Sequence, residues 1–306
     1  MEGIKTSFGR KIKKILHILN PLAGKGTAKR VRKHIGEADE TYMSVSPVET
    51  SEFIRQSCEK EPDTCFTVYG GDGTIHRAVN AVMESGCADE AMLKIVPIGS
   101  GNDFIRSFDD MPDEFVSDIM KFNDKYAANI VNMGFDCGVV KRAEKLKKLP
   151  MVSGPMAYIL GVVGELLHKK PLKAKVTFTY EDGTIEEIDD KFLLIAIGNG
   201  RWYGGGFKAV PGAKLDSGIL DVTIIKNISA LRFLSLVKSF KKGKHIKDPD
   251  NCIVKKGTEK FLMYKKCVGV KVEGCELISA DGELYKNNVA DVKVLPKAIS
   301  IIQHKL

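Results

Sequence analysis

The stretch Cys65-Phe66-Thr67-Val68-Tyr69-Gly70-Gly71-Asp72-Gly73-Thr74 decides the fold. A run of apolar and β-favouring residues stops abruptly in glycines, as a buried strand does where it leaves a sheet. Thr74–Met83 then carries Ile75, Ala78, Val79 and Val82 on one face at helical spacing. The same succession flanks it on both sides. Ile15–Leu19 ends in Asn20-Pro21-Leu22-Ala23-Gly24-Lys25-Gly26 and a helical stretch from Thr27. Leu93–Ile98 ends in Gly99-Ser100-Gly101-Asn102-Asp103. Strand, glycine loop and helix repeated in this way predict a parallel sheet with helices on both faces. Ligands of such sheets bind beyond the carboxyl ends of the strands, where all three loops fall.

The loops suit an anion. Glycine lacks Cβ, so backbone amides approach a phosphate closely, and a following helix presents its N-terminus to the same charge. Asp72 would be repelled by a bare phosphate and makes sense if it holds Mg²⁺, directly or through water. The competing reading is a tight turn rich in glycine. Two better-known phosphate motifs do not fit. Gly24-Lys25-Gly26-Thr27 lacks the GxxxxGK[ST] spacing, and Gly99-Ser100-Gly101-Asn102-Asp103-Phe104 lacks the third glycine of GxGxxG.

After Phe135 the pattern changes to antiparallel β. Val176, Phe178 and Tyr180 alternate, Asp182-Gly183 supplies a turn and Thr184–Ile188 returns. Phe192–Ile197, Ile219–Ile225, Val268–Val272 and Val289–Leu295 are further strand-like runs, with helices expected near 153–168 and 229–242. Two domains are therefore expected in the 306 residues, 1–135 and 136–295, with 296–306 returning to the first. Charge divides at the same place. Residues 1–135 hold 17 basic and 20 acidic side chains; residues 136–306 hold 30 and 19. The seven cysteines are odd in number and show no CxxC spacing, so neither a disulfide framework nor a zinc site is signalled, and reduced thiols in the cytoplasm fit best. No signal peptide is visible, and Met151–Val163 falls short of the roughly 20 apolar residues of a membrane span.

The motifs resemble the diacylglycerol kinase catalytic family, in particular its soluble bacterial lipid kinases. Asn20-Pro21-x-Ala23-Gly24, Gly70-Gly71-Asp72-Gly73-Thr74 and Ile98-Gly99-Ser100-Gly101-Asn102-Asp103-Phe104 match in order. Asn132-Met133-Gly134-Phe135-Asp136, Tyr203-Gly204-Gly205-Gly206-Phe207, Pro211–Asp221 and Asp281-Gly282-Glu283 continue the series over nearly the whole chain. The resemblance implies a nucleotide domain related to NAD kinases and 6-phosphofructokinases, followed by a β-rich, sandwich-like domain, with the nucleotide between them. It implies ATP and Mg²⁺ as cofactors. The implied reaction is transfer of the γ-phosphate to a lipid alcohol, diacylglycerol giving phosphatidic acid. An NAD kinase-like enzyme and a non-catalytic nucleotide-binding regulatory protein stay open as alternatives.

Carried over by position, the nucleotide contacts are Asn20, Pro21, Leu22, Ala23 and Gly24; Gly70, Gly71, Asp72, Gly73, Thr74 and Ile75; and Ser100, Asn102 and Asp103. A polar residue near Ser44 or Ser46 joins them. The base matches Glu283, with Asp281 beside it and Asp72 as the third catalytic acid. A carboxylate in that place can take the proton of a lipid hydroxyl. Read without the family, Asp281-Gly282-Glu283 is a solvated hairpin tip. The resemblance also implies a structural Mg²⁺ held at Lys214, Ser217 and Ile219. Here the chain departs, because Asp216-Ser217 stands in place of an acidic pair, and a plain β-turn weighs equally. His76 replaces the family's asparagine, either as a harmless exposed helix residue or as an altered nucleotide contact.

Lys238-Ser239-Phe240-Lys241-Lys242-Gly243-Lys244-His245-Ile246-Lys247 has five lysines and no acid. It ends a stretch with Ala230, Phe233, Leu234 and Val237 on one face, followed by Phe240. Lys141–Lys148 and Lys255–Lys271 add positive charge. The pattern fits peripheral docking on the anionic inner face of a membrane, or a helix covering the sheet with a solvated lysine tail. Sparse aromatic interleaving and the lack of a nucleic-acid motif exclude nucleic acid as partner. A homodimer is left open.

Overall fold

The computed structural model describes residues 4–5, 11–33, 35–36, 39–146, 160–162, 164–165 and 170–304. Most of the helix expected near 153–168 and of the apolar stretch Met151–Val163 lies outside the described residues, as do Lys147 and Lys148.

The first half runs β1 (Lys14–Leu19), α1 (Thr27–Arg32), β2 (Thr41–Met43), α2 (Pro47–Lys60), β3 (Thr64–Gly70), α3 (Asp72–Ser85) and β4 (Met92–Pro97). The strands are parallel, in the order β4-β3-β1-β2. Six of the seven residues of β3 are buried, as a strand covered on both faces requires. Helix α3 buries Ile75, Ala78, Val79 and Val82, the face expected from spacing, and also His76 and Asn80. It ends at Gly86, whose φ of +76° closes the helix in the left-handed conformation. Helix α2 begins with Ser46 accepting from the Glu49 amide and Pro47 in the first turn.

The second half contributes β5 (Glu114–Phe122), β6 (Lys125–Ala127), β7 (Ile130–Gly134), α4 (Phe135–Leu146), β8 (Leu172–Thr179), β9 (Ile185–Gly198), β10 (Leu220–Lys226) and α5 (Ala230–Lys241). It closes with β11 (Leu262–Cys267), β12 (Gly269–Glu273), β13 (Leu277–Ala280), β14 (Glu283–Lys286) and β15 (Val289–Gln303). The pairings among these strands are antiparallel, and a core of Val176, Phe178, Phe192, Ile195, Val222, Val270 and Val292 lies within them. The runs Thr184–Ile188 and Phe192–Ile197 are one continuous strand, β9. Strands β5 to β7 precede Phe135 yet hydrogen-bond with β15, β9 and β13.

One strand joins the halves. The start of β15 pairs antiparallel with β12, and Ser300–Gln303 pair parallel with β4. Between them the register with β5 shifts from Leu295 to Ile299. Lys297 has a φ of +50° and donates its amide to Asp118 Oδ1 at 2.8 Å. This bulge turns the strand from one half into the other, so the described strands form a single 15-stranded sheet apart from two small ribbons.

Helix α5 differs in detail from its expected face. Phe233, Leu236 and Phe240 are buried, whereas Leu234 is 52% and Leu231 81% exposed. Phe233 packs on Phe135, and Phe240 on Tyr203, so the inner side is chosen by ring contacts on the sheet. No helix among the described residues is long and apolar enough to cross a membrane.

Candidate active site

The three glycine loops meet at the carboxyl ends of β1, β3 and β4. A cleft of about 320 Å³ is lined there by Asn20, Leu22, Ala23 and Gly24, by Gly71–Thr74 with Arg77, and by Gly99–Gly101. Asn20 organises two of the loops. Its Nδ2 donates to Thr74 Oγ1 at 3.0 Å and its Oδ1 accepts from the Leu22 amide at 2.9 Å. Glycine is required sterically where loops touch. A Cβ on Gly99 would lie 2.4 Å from the Gly71 Cα, and one on Gly24 (φ +67°) would lie 2.2 Å from the Ile98 oxygen. Phe104, buried at the end of the third loop, packs edge-on against Phe108 with centroids 5.0 Å apart and anchors the loop to the core.

Among the expected contacts, Ser100 lines the cleft, while Ile75 is buried in the core and its amide closes back on Gly71 O. Gly70 and Pro21 support the turns without lining the cleft. Asn102 (φ +51°) donates to Gly99 O at 2.9 Å and so shapes the loop. Ser46 Oγ caps α2 and Ser44 Oγ accepts from Thr50 Oγ1; neither serine lines the cleft.

Two carboxylates approach Gly101 of the third loop. A Cβ built on Gly101 would lie 2.9 Å from Asp72 Oδ2 and 3.9 Å from Asp103 Oδ2. Burial pushes both acids up from the ordinary carboxylate value, with Asp281 raising Asp72 further and Asp72 raising Asp103. Asp72 Oδ1 accepts from the Phe104 amide at 3.2 Å and Asp103 Oδ2 from the Gly205 amide at 2.7 Å. Asp103 Oδ1 is buried without a hydrogen bond; the nearest cation is Arg106 Nε at 3.5 Å. A paired-carboxylate cradle with an orphaned oxygen, kept open by a glycine, fits Mg²⁺, which takes one or two carboxylates together with phosphate oxygens and water.

The acid turn lies on the opposite side. A Cβ on Gly73 would come within 3.2 Å of Glu283 Oε1, which also accepts from Arg77 at 3.2 Å. Glu283 thus stands over the first turn of α3, at the edge of the cleft. Asp281 is different. Its Oδ1 accepts from the Asn129 and Ile130 amides at 2.9 and 3.0 Å, and its Oδ2 from the Ala128 amide at 2.9 Å. His76 Nδ1 stands 2.9 Å from that same Oδ2. Four donors fill a carboxylate's capacity, so Asp281 has no lone pair for a substrate proton. It positions the turn and is neither a second base nor part of a solvated hairpin tip. His76 is likewise no exposed helix residue: it is 4% exposed, with Nε2 2.9 Å from Tyr285 Oη.

Lys214, Ser217 and Ile219 do come together, but on one another. Ser217 Oγ lies 3.2 Å from Lys214 O and 3.4 Å from Ile219 O, in reach to donate to either. Asp118, the nearby buried carboxylate, is occupied by the Gly218 and Lys297 amides at 2.6 and 2.8 Å. As it stands this donor set is a hydrogen-bonded turn. Among the described residues no cluster of three or more His, Cys, Asp or Glu could hold a metal.

Sequence reading missed Arg77 and Tyr285. A basic residue one turn into a helix that opens on a phosphate loop was a usable signal for Arg77. Tyr285 carried none, because its partner is distant in sequence.

The catalytic-domain model of the diacylglycerol kinase family matches residues 14–131. The model of the YegS C-terminal NAD kinase beta sandwich-like domain matches residues 129–303. The two meet on the segment whose amides bind Asp281. The chain is 26% identical over 317 residues to a diacylglycerol kinase of Mycobacterium tuberculosis (strain CDC 1551 / Oshkosh), covering 95% of this chain and 96% of the relative. To a diacylglycerol kinase of Staphylococcus carnosus (strain TM300) it is 24% identical over 291 residues, covering 87% of each. A crystal structure of a diacylglycerol kinase from Bacillus anthracis str. Sterne superposes with a TM-score of 0.64 at 20% identity, over 95% of this chain and 97% of that one. That last likeness is one of fold.

Proposed function

The chain belongs to the diacylglycerol kinase catalytic family of lipid kinases, and on that premise we propose that it transfers the γ-phosphate of ATP to a lipid hydroxyl with Mg²⁺, diacylglycerol being the acceptor. One observation supports the reading: Glu283 Oε1 comes within 3.2 Å of a Cβ built on Gly73, in the same glycine loop that brings Asp72 to the cleft. Phosphoryl transfer needs little beyond positioning and charge stabilisation. The glycine-loop amides, Asn20 and Thr74 hold the phosphates. Mg²⁺, held by Asp72 and Asp103, would neutralise the phosphate oxygens. Arg77 lines the cleft, holds Glu283 and adds positive charge at the transferred group. Glu283 accepts the proton of the lipid hydroxyl as that oxygen bonds to phosphorus.

The lipid arrives from a surface. Lys238, Lys242, Lys244, Lys247, Lys255 and Lys256 line an open groove of about 750 Å³ with no acidic side chain in its wall. Exposed Leu231 and Leu234 lie on the same side of α5, about two turns and one turn before Lys238. Apolar residues beside lysines support peripheral binding to the anionic cytoplasmic face of a membrane.

The test is incubation with labelled ATP, Mg²⁺ and a total lipid extract. The label is expected in a lipid that migrates as phosphatidic acid, and Glu283→Gln is expected to bind ATP while losing most of that transfer. Label on NAD with none in lipid, or ATP left unconsumed with every lipid, would overturn the reading.

A further inference from the structure

We infer that His76 is the positioning residue for Glu283; this rests on the reading of Glu283 as the base. Glu283 needs one. Its side chain is 39% exposed, and among the described residues that side chain's hydrogen bond is the 3.2 Å contact from Arg77, which is itself partly exposed. It follows a turn in which Asp281 and Gly282 both have positive φ, +50° and +91°. For Asp281 that conformation is strained and persists only if its surroundings hold it.

The imidazole supplies the hold at both ends. Asp281 Oδ2 can only accept, so Nδ1 carries the hydrogen and donates to it. In that tautomer Nε2 is the acceptor, and Tyr285 donates its hydroxyl at 2.9 Å. Burial pushes the Tyr285 phenol up to about 12, so it keeps that hydrogen. Asp281 and Tyr285 flank Glu283 at two residues on either side. One ring, fixed on α3 by its own backbone and by Asn80, which bonds to His76 O at 2.9 Å and to the Tyr126 backbone, therefore clamps the strand on both sides of the base. Because α3 begins at Gly71–Asp72, the clamp references Glu283 to the helix that holds the phosphates.

The experiment compares three variants. His76→Leu removes both bonds. His76→Asn retains a donor where Nδ1 stood, and His76→Gln retains a polar group where Nε2 stood. His76→Leu is expected to lower kcat by about 10- to 100-fold, the cost of roughly an ångström of misplacement, with KM for ATP little changed. His76→Asn should recover most of the loss and His76→Gln less, since the Asp281 bond holds the strained turn. In the Glu283→Gln background His76→Leu should have no further effect, because groups acting as one unit do not add. Wild-type kcat in His76→Leu, equal kcat in the Asn and Gln variants, or an undiminished loss in the Glu283→Gln background would each overturn the inference. If His76→Leu fails to fold, the Asn and Gln pair decides. Normal turnover in Glu283→Gln alone would instead refute the base. In that event nitrogen NMR of the imidazole still decides the clamp, where the Nδ1–H tautomer supports it and the Nε2–H tautomer refutes it.

Discussion

The Asp103 carboxylate accepts a 2.7 Å hydrogen bond from the Gly205 amide, tying an acid of the third glycine loop to the glycine hairpin Tyr203–Phe207 of the other half. One oxygen of Asp103 is thereby committed to joining the halves, and Oδ1, buried 3.5 Å from Arg106 Nε, is the oxygen the proposed Mg²⁺ would use. Asp103→Asn separates these two tasks. The amide oxygen can still accept from Gly205, so thermal stability should change little. An NH₂ group then stands in place of Oδ1, where the proposed cation would bind. The transfer rate should fall on the order of 100-fold, the scale of losing one preorganised electrostatic group. The Mg²⁺ concentration for half-maximal rate should rise. A Mg²⁺ titration unchanged from wild type would remove Asp103 from the cation site.

Gly99 and Gly71 touch backbone to backbone. An alanine at 99 would place its Cβ 2.4 Å from Gly71 Cα and 2.8 Å from Asn102 Oδ1, so the two loops must separate. Amides aligned on phosphates cannot tolerate that shift, and Gly99→Ala should weaken ATP binding about 10-fold or more. Gly183 is the control. Its φ is +81° and nothing lies within 4 Å of its Cβ position, so Gly183→Ala should cost about 1 kcal/mol of stability and leave ATP affinity intact. Calorimetric titration of both variants with ATP checks the contrast. Equal affinities for the two would refute the close-packed cradle.

What could be read without coordinates was what is local in the chain. Strand, glycine loop and helix are contiguous, so β1, β3, β4 and the cleft they build followed from periodicity. The buried face of α3 followed for the same reason. Asp281 and His76 were misread because their meaning lies in partners 205 residues apart. A polar residue amid charged ones looks exposed until the fold brings a donor to it. Strand β15 was read only as far as Leu295, since Pro296 looks like an end, and only the Asp118 carboxylate shows why the chain bulges and continues. In α5, spacing alone could not choose between Leu234 and Leu236, whose burial depends on where Phe135 and Tyr203 stand.

Asp136 gives a stability prediction. It is buried, accepting from Tyr203 Oη at 2.6 Å and Asn132 Nδ2 at 3.3 Å, and burial pushes its carboxyl from 3.8 up to about 7. A folded-state value above the unfolded one means that the protonated acid favours the fold. That contribution is complete below pH 3.8 and is lost as pH rises through about 7. Three pH units correspond to about 4 kcal/mol. Asp136→Asn is neutral throughout and keeps an oxygen for both donors. Relative to wild type it should therefore gain stability as pH rises from 3.8 to about 7 and stay level above that, by at most that amount. Asp72, Asp103, Asp118 and Asp221 shift in the same direction but cancel in the difference. Denaturant unfolding at a series of pH values measures it; a difference that stays flat with pH would show that Asp136 is ionised in the fold.

The lysine groove makes the membrane reading quantitative. Each lysine close to an anionic surface contributes about 1 kcal/mol, and the attraction is screened by salt over about 10 Å. Lys238, Lys242 and Lys244 line the groove and follow the exposed Leu231 and Leu234 in the chain. Reversing all three to glutamate removes three attractions and adds three repulsions. Binding to phosphatidylglycerol vesicles should therefore fall by at least about 100-fold, which is about 3 kcal/mol. Leu231→Ser with Leu234→Ser should weaken binding more evenly across salt concentrations, since apolar insertion is not screened. None of these residues lines the phosphate cleft, so transfer to a short-chain, water-dispersed acceptor should be unaffected. Flotation on phosphatidylglycerol and phosphatidylcholine vesicles decides the matter. Wild-type protein that floats equally with both, or a triple variant that floats as well as wild type, would show that the positive charge of the second half serves something other than a membrane.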